Sequence, residues 1–199
     1  KNAISLIVNH FKDKKVAAVS GQPVAVIPKN NVFYEWALMS YRKAHELRLK
    51  ENKEGTFWHL SGYLCAYRKN LMPELPQLKG AVDAWMGKLI QEKGYKIIYE
   101  PKAKVLVKSP LTVKDFIKQK ARVRAGFYFL SQKHKKQPRK MKSEIFYFPK
   151  ELMKIRITRW PAFFFSAFVY LYAWLKGLYL FKKNAPLSQI WKHVDSTKS

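Results

Sequence analysis

The segment that decides the fold runs from Gly80 to Gly126, GAVDAWMGKLIQEKGYKIIYEPKAKVLVKSPLTVKDFIKQKARVRAG. A lone aspartate, Asp83, opens the stretch VDAWMGKLIQEKG, whose apolar residues recur at helical spacing. Two short apolar runs follow, YKIIYEP and AKVLVK, and the proline between them, Pro101, predicts two separate strands. Pro110 closes that portion, and a second amphipathic helix then carries Gln119, Arg122 and Val123. Helix, Gly94, strand, Pro101, strand is an α/β rhythm, which excludes a helical bundle and a β-sandwich. An α/β scaffold is expected to bring a carboxylate and a guanidinium together here, for chemistry on a charged donor.

Upstream, Ile4, Leu6, Ile7, Val8 and Phe11 form an apolar stripe, so residues 1–12 read as a helix that Asp13 ends. Val16 to Ile27 is strand material with a bend at Gly21-Gln22-Pro23. Asn30 or Asn31 is placed to cap the next helix. In that helix Phe33, Trp36, Ala37, Ser40, Tyr41, Ala44 and Leu47 share one face over about 20 residues. Thr56 to Arg68 (TFWHLSGYLCAYR) reads as a glycine-hinged loop and then a strand, followed by a proline-rich connection, Met72 to Pro76.

Downstream, Gln132 to Lys142 is a basic linker expected at the surface. Trp160 to Phe181, WPAFFFSAFVYLYAWLKGLYLF, holds a single charge, Lys176. A helix of that length covers about 33 Å, enough for a hydrocarbon core of about 30 Å. A transmembrane helix over 159–182 is therefore expected, with cations on both flanks that leave its orientation open.

Thirty-nine Lys and Arg against 13 Asp and Glu give a net charge of +26. Nucleic acid, anionic lipid headgroups and a phosphorylated substrate are the partners such a balance fits. The basic residues are spread over every element rather than gathered on one, and a long apolar stretch is costly in a soluble nucleic-acid binder. One cysteine, Cys65, excludes an intramolecular disulfide framework and fits a reducing compartment. It lies between Leu64 and Ala66 and reads as core rather than nucleophile. The five histidines have no metal-ligand spacing, and no glycine-rich phosphate loop is present.

Asp83 is short and opens a helix, where a carboxylate either takes a proton from an attacking hydroxyl or caps the amides of the first turn. On the second helix Asp115, Gln119, Arg122, Val123 and Gly126 form one stripe. An amide and a planar cation on that stripe suit a diphosphate; a solvated basic face attracted to anionic lipid is the plainer reading. Val113, Phe116 and Ile117 lie on the other side and suit a helix in the membrane interface, and Lys120 and Arg124 read as lipid-facing.

The ordered series AVSG (Ala18–Gly21), LSGYLCAYRK (Leu60–Lys69), VDAWM, EKGYKIIYEPKAKV (Glu92–Val105) and SPLTVKDFIKQKARVRAG (Ser109–Gly126) resembles membrane-bound family 2 glycosyltransferases, relatives of cellulose, chitin and hyaluronan synthases. The likeness covers about residues 1–126 and extends more loosely to the membrane stretch and the terminal WKHVDSTK. It implies the C-terminal half of a GT-A mixed sheet with flanking helices over 1–108, and an interface helix with its basic linker over 109–158. The membrane helix over 159–182 and a tail over 183–199 complete the chain.

The implied function is inverting transfer of a sugar from a nucleotide diphosphosugar to a lipid-linked or polysaccharide acceptor, at the cytoplasmic face of the cell membrane. Asp83 falls on the family's acidic motif, the base. Gln119 and Arg122 fall on QxxRW, beside the donor diphosphate, and Gly62 and Val123 lie on the acceptor side. Val123 stands where the family has tryptophan, which removes an aromatic platform for an acceptor sugar. The family's uridine-binding strands and metal-binding DxD are not in this sequence, so Mg²⁺ or Mn²⁺ is expected only in an intact enzyme, and the chain alone is expected to be inactive. A basic nucleic-acid-binding protein and a non-catalytic membrane adaptor are the alternatives.

Overall fold

The computed structural model describes residues 2–72, 80–133, 148–192 and 194–197. The basic linker and the proline-rich connection lie largely outside them, as do His134 and His193. The chain divides into two units. One comprises Lys1–Val26, Ser40–Leu78 and Val82–Val107; the other comprises Ile27–Met39, Lys79–Ala81 and Lys108–Ser199.

The first unit is built on a mixed three-stranded sheet of order β2-β1-β3. Helix α1 (Ala3–Asn9) leads through a short 3₁₀ turn into β1 (Val16–Val26). The central strand β1 is buried over its first six residues, as a strand covered on both faces must be. Strand β2 (Cys65–Tyr67) is antiparallel to it, pairing Ala18 with Tyr67 and Ser20 with Cys65.

Strand β3 runs unbroken from Lys96 to Lys108, so the two strands expected on either side of Pro101 are one. Its odd-numbered residues, among them Ile97, Tyr99, Ala103 and Val107, are the more buried on both sides of the proline, and the two-residue alternation never slips. An edge strand has a row of backbone groups with no ladder partner to lose, which is why it tolerates a residue without an N–H.

Helix α2 (Tyr34–Lys53) gives its residues from Ser40 onward to this unit. There the Asn52 side chain accepts from the Tyr99 N–H, and the Tyr99 hydroxyl meets His45 Nδ1 at 2.8 Å. Burial pushes the Tyr99 hydroxyl up to about 12 and holds the His45 imidazole below its usual value. Helix α3 (Val82–Glu92) sets Met86 and Ile90 against Ala17, Phe57, Leu60 and Tyr99. At Gly87 any Cβ would overlap the Trp58 carbonyl oxygen, so the helix can lie this close to the 57–60 segment only with glycine there.

The second unit is organised by α4 (Val113–Lys133) and α5 (Trp160–Lys182), with a four-residue helix, α6 (Leu187–Ile190), beyond them. Phe33 stacks on Phe116 with ring centroids 4.2 Å apart, and Trp36, Met39, Ile155, Phe163 and Val169 complete that cluster. The Asn31 carboxamide oxygen accepts from the Phe33 N–H in the turn ahead of α2, but the N-cap position itself falls on Phe33, whose carbonyl accepts the Ala37 N–H.

The Phe116–Ile117 side of α4 is therefore core, not a membrane-interface face; its aromatic partner comes from a segment far upstream. Arg124 does not face lipid either. Its guanidinium lies 5.2 Å from the Tyr128 ring and 5.1 Å from that of Trp174, between α4 and α5. Lys120 sits 5.3 Å over the Phe116 ring. Helix α5 covers the expected apolar stretch, and among the described residues it is the one helix long and apolar enough to cross a membrane.

Candidate functional site

Asp83 stands in the first turn of α3 and is partly exposed. Its Oδ1 accepts the Ala84 N–H at 2.9 Å and its Oδ2 accepts the Gly62 N–H, also at 2.9 Å. The first bond belongs to its own helix; the second reaches 21 residues back along the chain. Only the capping half of the expectation is met by this side chain. It satisfies an amide of its own turn, and it is also tied to the Gly62 segment.

The Gly62 segment is itself fixed to the sheet. The Ser61 N–H donates to the hydroxyl of Ser20, which is fully buried on β1, and the Leu64 carbonyl accepts from the Gly21 N–H. Each carboxylate oxygen of Asp83 spends one acceptor position on a backbone amide and keeps another. A carboxylate held by two rigid donors and still partly open to solvent is placed to accept a proton from an incoming hydroxyl. The positive end of α3 further favours negative charge there. Cys65 lies close enough to feel it: burial, and then the charge of Asp83, pushes the thiol above its usual range, consistent with an inert core cysteine.

Gln119, Arg122 and Val123 lie on α4, in the second unit. Gln119 and Arg122 are half-buried and Val123 is exposed. The Arg122 guanidinium carbon sits 4.4 Å from the centre of the Trp191 ring, a close cation–π contact with a residue from beyond α6.

The ends of the expected stripe are occupied by packing. Asp115 is buried, accepts the Ser196 N–H at 2.9 Å and pairs with Lys118 at 3.3 Å. That amide, with Lys118 contributing, holds the Asp115 carboxyl below the usual carboxylate range against the opposing effect of burial. Gly126 lies against Gly80 and Ala81; an added Cβ would approach the Ala81 nitrogen to 3.1 Å. Between those ends lie Gln119, Arg122 and Val123, with Arg122 already engaged.

Asp83 and Gly62 are brought together within the first unit; Gln119, Arg122 and Val123 belong to the second. Sequence reasoning missed Ser20, which pins the Gly62 segment from inside the core, and Trp191, which steadies Arg122. Trp191 had a faint signal, since it opens the terminal WKHVDSTK that already drew notice. Ser20 had none. Among the described residues no three His, Cys, Asp or Glu side chains gather as metal ligands, and Asp83 is already engaged by backbone amides.

The model of glycosyl transferase family group 2 matches residues 1–191. The chain belongs to that family. No curated protein matches it. For a family 2 glycosyltransferase domain the family implies a GT-A fold, a sugar donor and an acceptor. The match takes in α4, α5 and Trp191, so the residue that stacks on Arg122 lies inside the family region.

Proposed function

We propose that this family 2 glycosyltransferase chain serves inverting transfer of a sugar from a nucleotide diphosphosugar to a lipid-linked or polysaccharide acceptor, at the cytoplasmic face of a membrane. Asp83 is the base. It takes the proton of the acceptor hydroxyl as that oxygen attacks the anomeric carbon. The bond from that carbon to the diphosphate oxygen breaks, and its electron pair leaves with the nucleoside diphosphate. Arg122 and Gln119 donate hydrogen bonds to the departing oxygens, whose charge grows through the step. Gly62 and Val123 lie toward the acceptor, and with valine in place of tryptophan a single transfer is favoured over polymer synthesis. Mg²⁺ or Mn²⁺, where the enzyme uses one, would supply further positive charge to the departing diphosphate.

The observation that supports this reading best is the Asp83 carboxylate anchored on the Gly62 amide in a partly exposed turn. Family membership favours it over the nucleic-acid and adaptor readings. In the full-length enzyme Asp83→Asn should lower turnover by about 100- to 10,000-fold while donor affinity, read by calorimetry, is kept. Turnover at the normal rate would remove Asp83 from the chemistry.

A further inference from the structure

Helix α5 is long enough to cross a bilayer, but its surroundings within the second unit are one-sided. Phe163, Ser166, Val169, Ala173 and Gly177 form its buried face. Near its start that face packs on Trp36, and the Ser166 hydroxyl donates to the Val32 carbonyl at 3.0 Å. Farther along it meets α4, where Gly177 lies so near Ala121 and Arg124 that an added Cβ would come within 2.8 Å of both. Phe181 then reaches Tyr128 and Phe129. The two helices thus run in the same direction side by side, from Phe116 with Phe163 to Phe129 with Phe181.

Helix α4 carries Lys114, Asp115, Lys118, Lys120, Arg122 and Arg124 along that length. If α5 crossed the bilayer with this packing intact, α4 would carry those charges into hydrocarbon, where each costs several times what an apolar residue returns.

The opposite face of α5 is apolar and open. Phe164, Phe165, Phe168, Leu171, Tyr172 and Leu175 are each between 45% and 71% exposed. Successive positions at about 100° per residue put all six in an arc of about 120°, with Lys176 at its margin. Just ahead of the helix Met153 and Ile157 are also exposed, at 87% and 71%. Arg156 and Arg159 precede α5, and Lys182 and Lys183 end it. A spanning helix would leave one of these cationic pairs on the far side of the membrane, whereas a helix parallel to the surface sets both on one anionic headgroup layer.

Resting on the reading that this transferase works at a membrane, we infer that α5 lies in the plane of an anionic bilayer surface, its Phe164–Leu175 face sunk to the acyl boundary and α4 on the aqueous side. The Gln119–Val123 stretch of α4 is then held beside the headgroups, where a lipid-linked acceptor would present its reactive end.

Two measurements on the full-length protein decide it. In a Cys65→Ser background, Lys150→Cys and Lys183→Cys are labelled with a membrane-impermeant maleimide in sealed inverted membrane vesicles of the expressing host. Labelling of both without detergent is the result expected. Protection of either one until detergent is added would overturn the in-plane placement and leave the membrane reading standing. In parallel, purified protein is floated with vesicles of phosphatidylcholine and phosphatidylglycerol. Phe168→Asp with Leu171→Asp should reduce partitioning by about tenfold or more, with circular dichroism unchanged. Unchanged partitioning would show that this face does not meet lipid. Failure of the unsubstituted protein to float would remove the membrane reading and the inference with it.

Discussion

Asp83 and Arg122 are the two charged residues on which the functional reading rests, and the fold holds them by different means. The carboxylate takes backbone amides from Gly62 and Ala84, donors whose positions are fixed by a turn and a helix. The guanidinium lies on the ring of Trp191, a half-exposed side chain from a short segment after α6. A base must sit within a few tenths of an ångström of the proton it takes, and backbone donors give that precision. A cation meeting a diphosphate acts through a longer-ranged field, so an aromatic face, which limits direction more than distance, is enough. Of the contacts described, the one to Arg122 is made by a side chain and those to Asp83 by backbone.

That contrast can be broken from either side. Beyond the replacement of Asp83 itself, the largest effect is expected at the cation. In the full-length enzyme Arg122→Ala should cost about 100- to 1,000-fold in turnover, by analogy with the removal of one donor to developing negative charge. Donor affinity should also weaken, which Asp83→Asn should not do; steady-state kinetics with calorimetry separates the two.

Gly62→Val tests the backbone side. A Cβ there meets Asp83 Oδ2 at 3.3 Å, so the branched side chain displaces the carboxylate. Turnover is expected to fall by about tenfold with thermal stability nearly unchanged. An equal loss of donor affinity would mean that the effect does not run through the base.

Trp191→Ala should raise the donor dissociation constant by about 2- to 30-fold, the range a cation–π contact of about 0.5–2 kcal/mol allows. Trp191→Phe should restore most of it, because the ring face is kept; a phenylalanine variant as weak as alanine would assign Trp191 a packing role instead. The smallest effect is expected in acid. Asp115 accepts the Ser196 amide, and its folded-state value lies below the unfolded one. Its stabilising contribution is therefore present above the ordinary carboxylate value of 3.8 and is lost as pH falls through the lowered folded value. Hydrogen exchange at Ser196 should quicken over that window. Asp115→Asn should abolish the pH dependence and leave exchange fast throughout.

Elements with strong periodicity were legible in the sequence, as were the punctuation marks around them. The stripe of Ile4, Leu6 and Ile7, the twenty-residue helix from Tyr34 and the long apolar helix from Trp160 all stand where residue patterns placed them. Pro101 misled because a proline is read as a break unless the strand is known to be an edge strand, and edge position depends on pairing between distant segments. Phe116 and Ile117 misled for a related reason. An apolar helical face looks the same whether its partner is lipid or Phe33, and Phe33 lies more than eighty residues away. The pairing of Gly62 with Asp83 was not anticipated, since nothing local to either residue announces it.

The sequence by itself determined the α/β class, the family, the great excess of positive charge and the presence of one long apolar helix. Each follows from composition, residue order or local periodicity, which need no distant contact. Only the tertiary structure decided that the Asp83 carboxylate reaches the Gly62 amide, that Trp191 backs Arg122, and that α5 has charged α4 along one side and open aromatic rings on the other. Those facts arise where segments far apart in the chain close on one another, and the energy of such contacts is written in geometry rather than in any one stretch of residues.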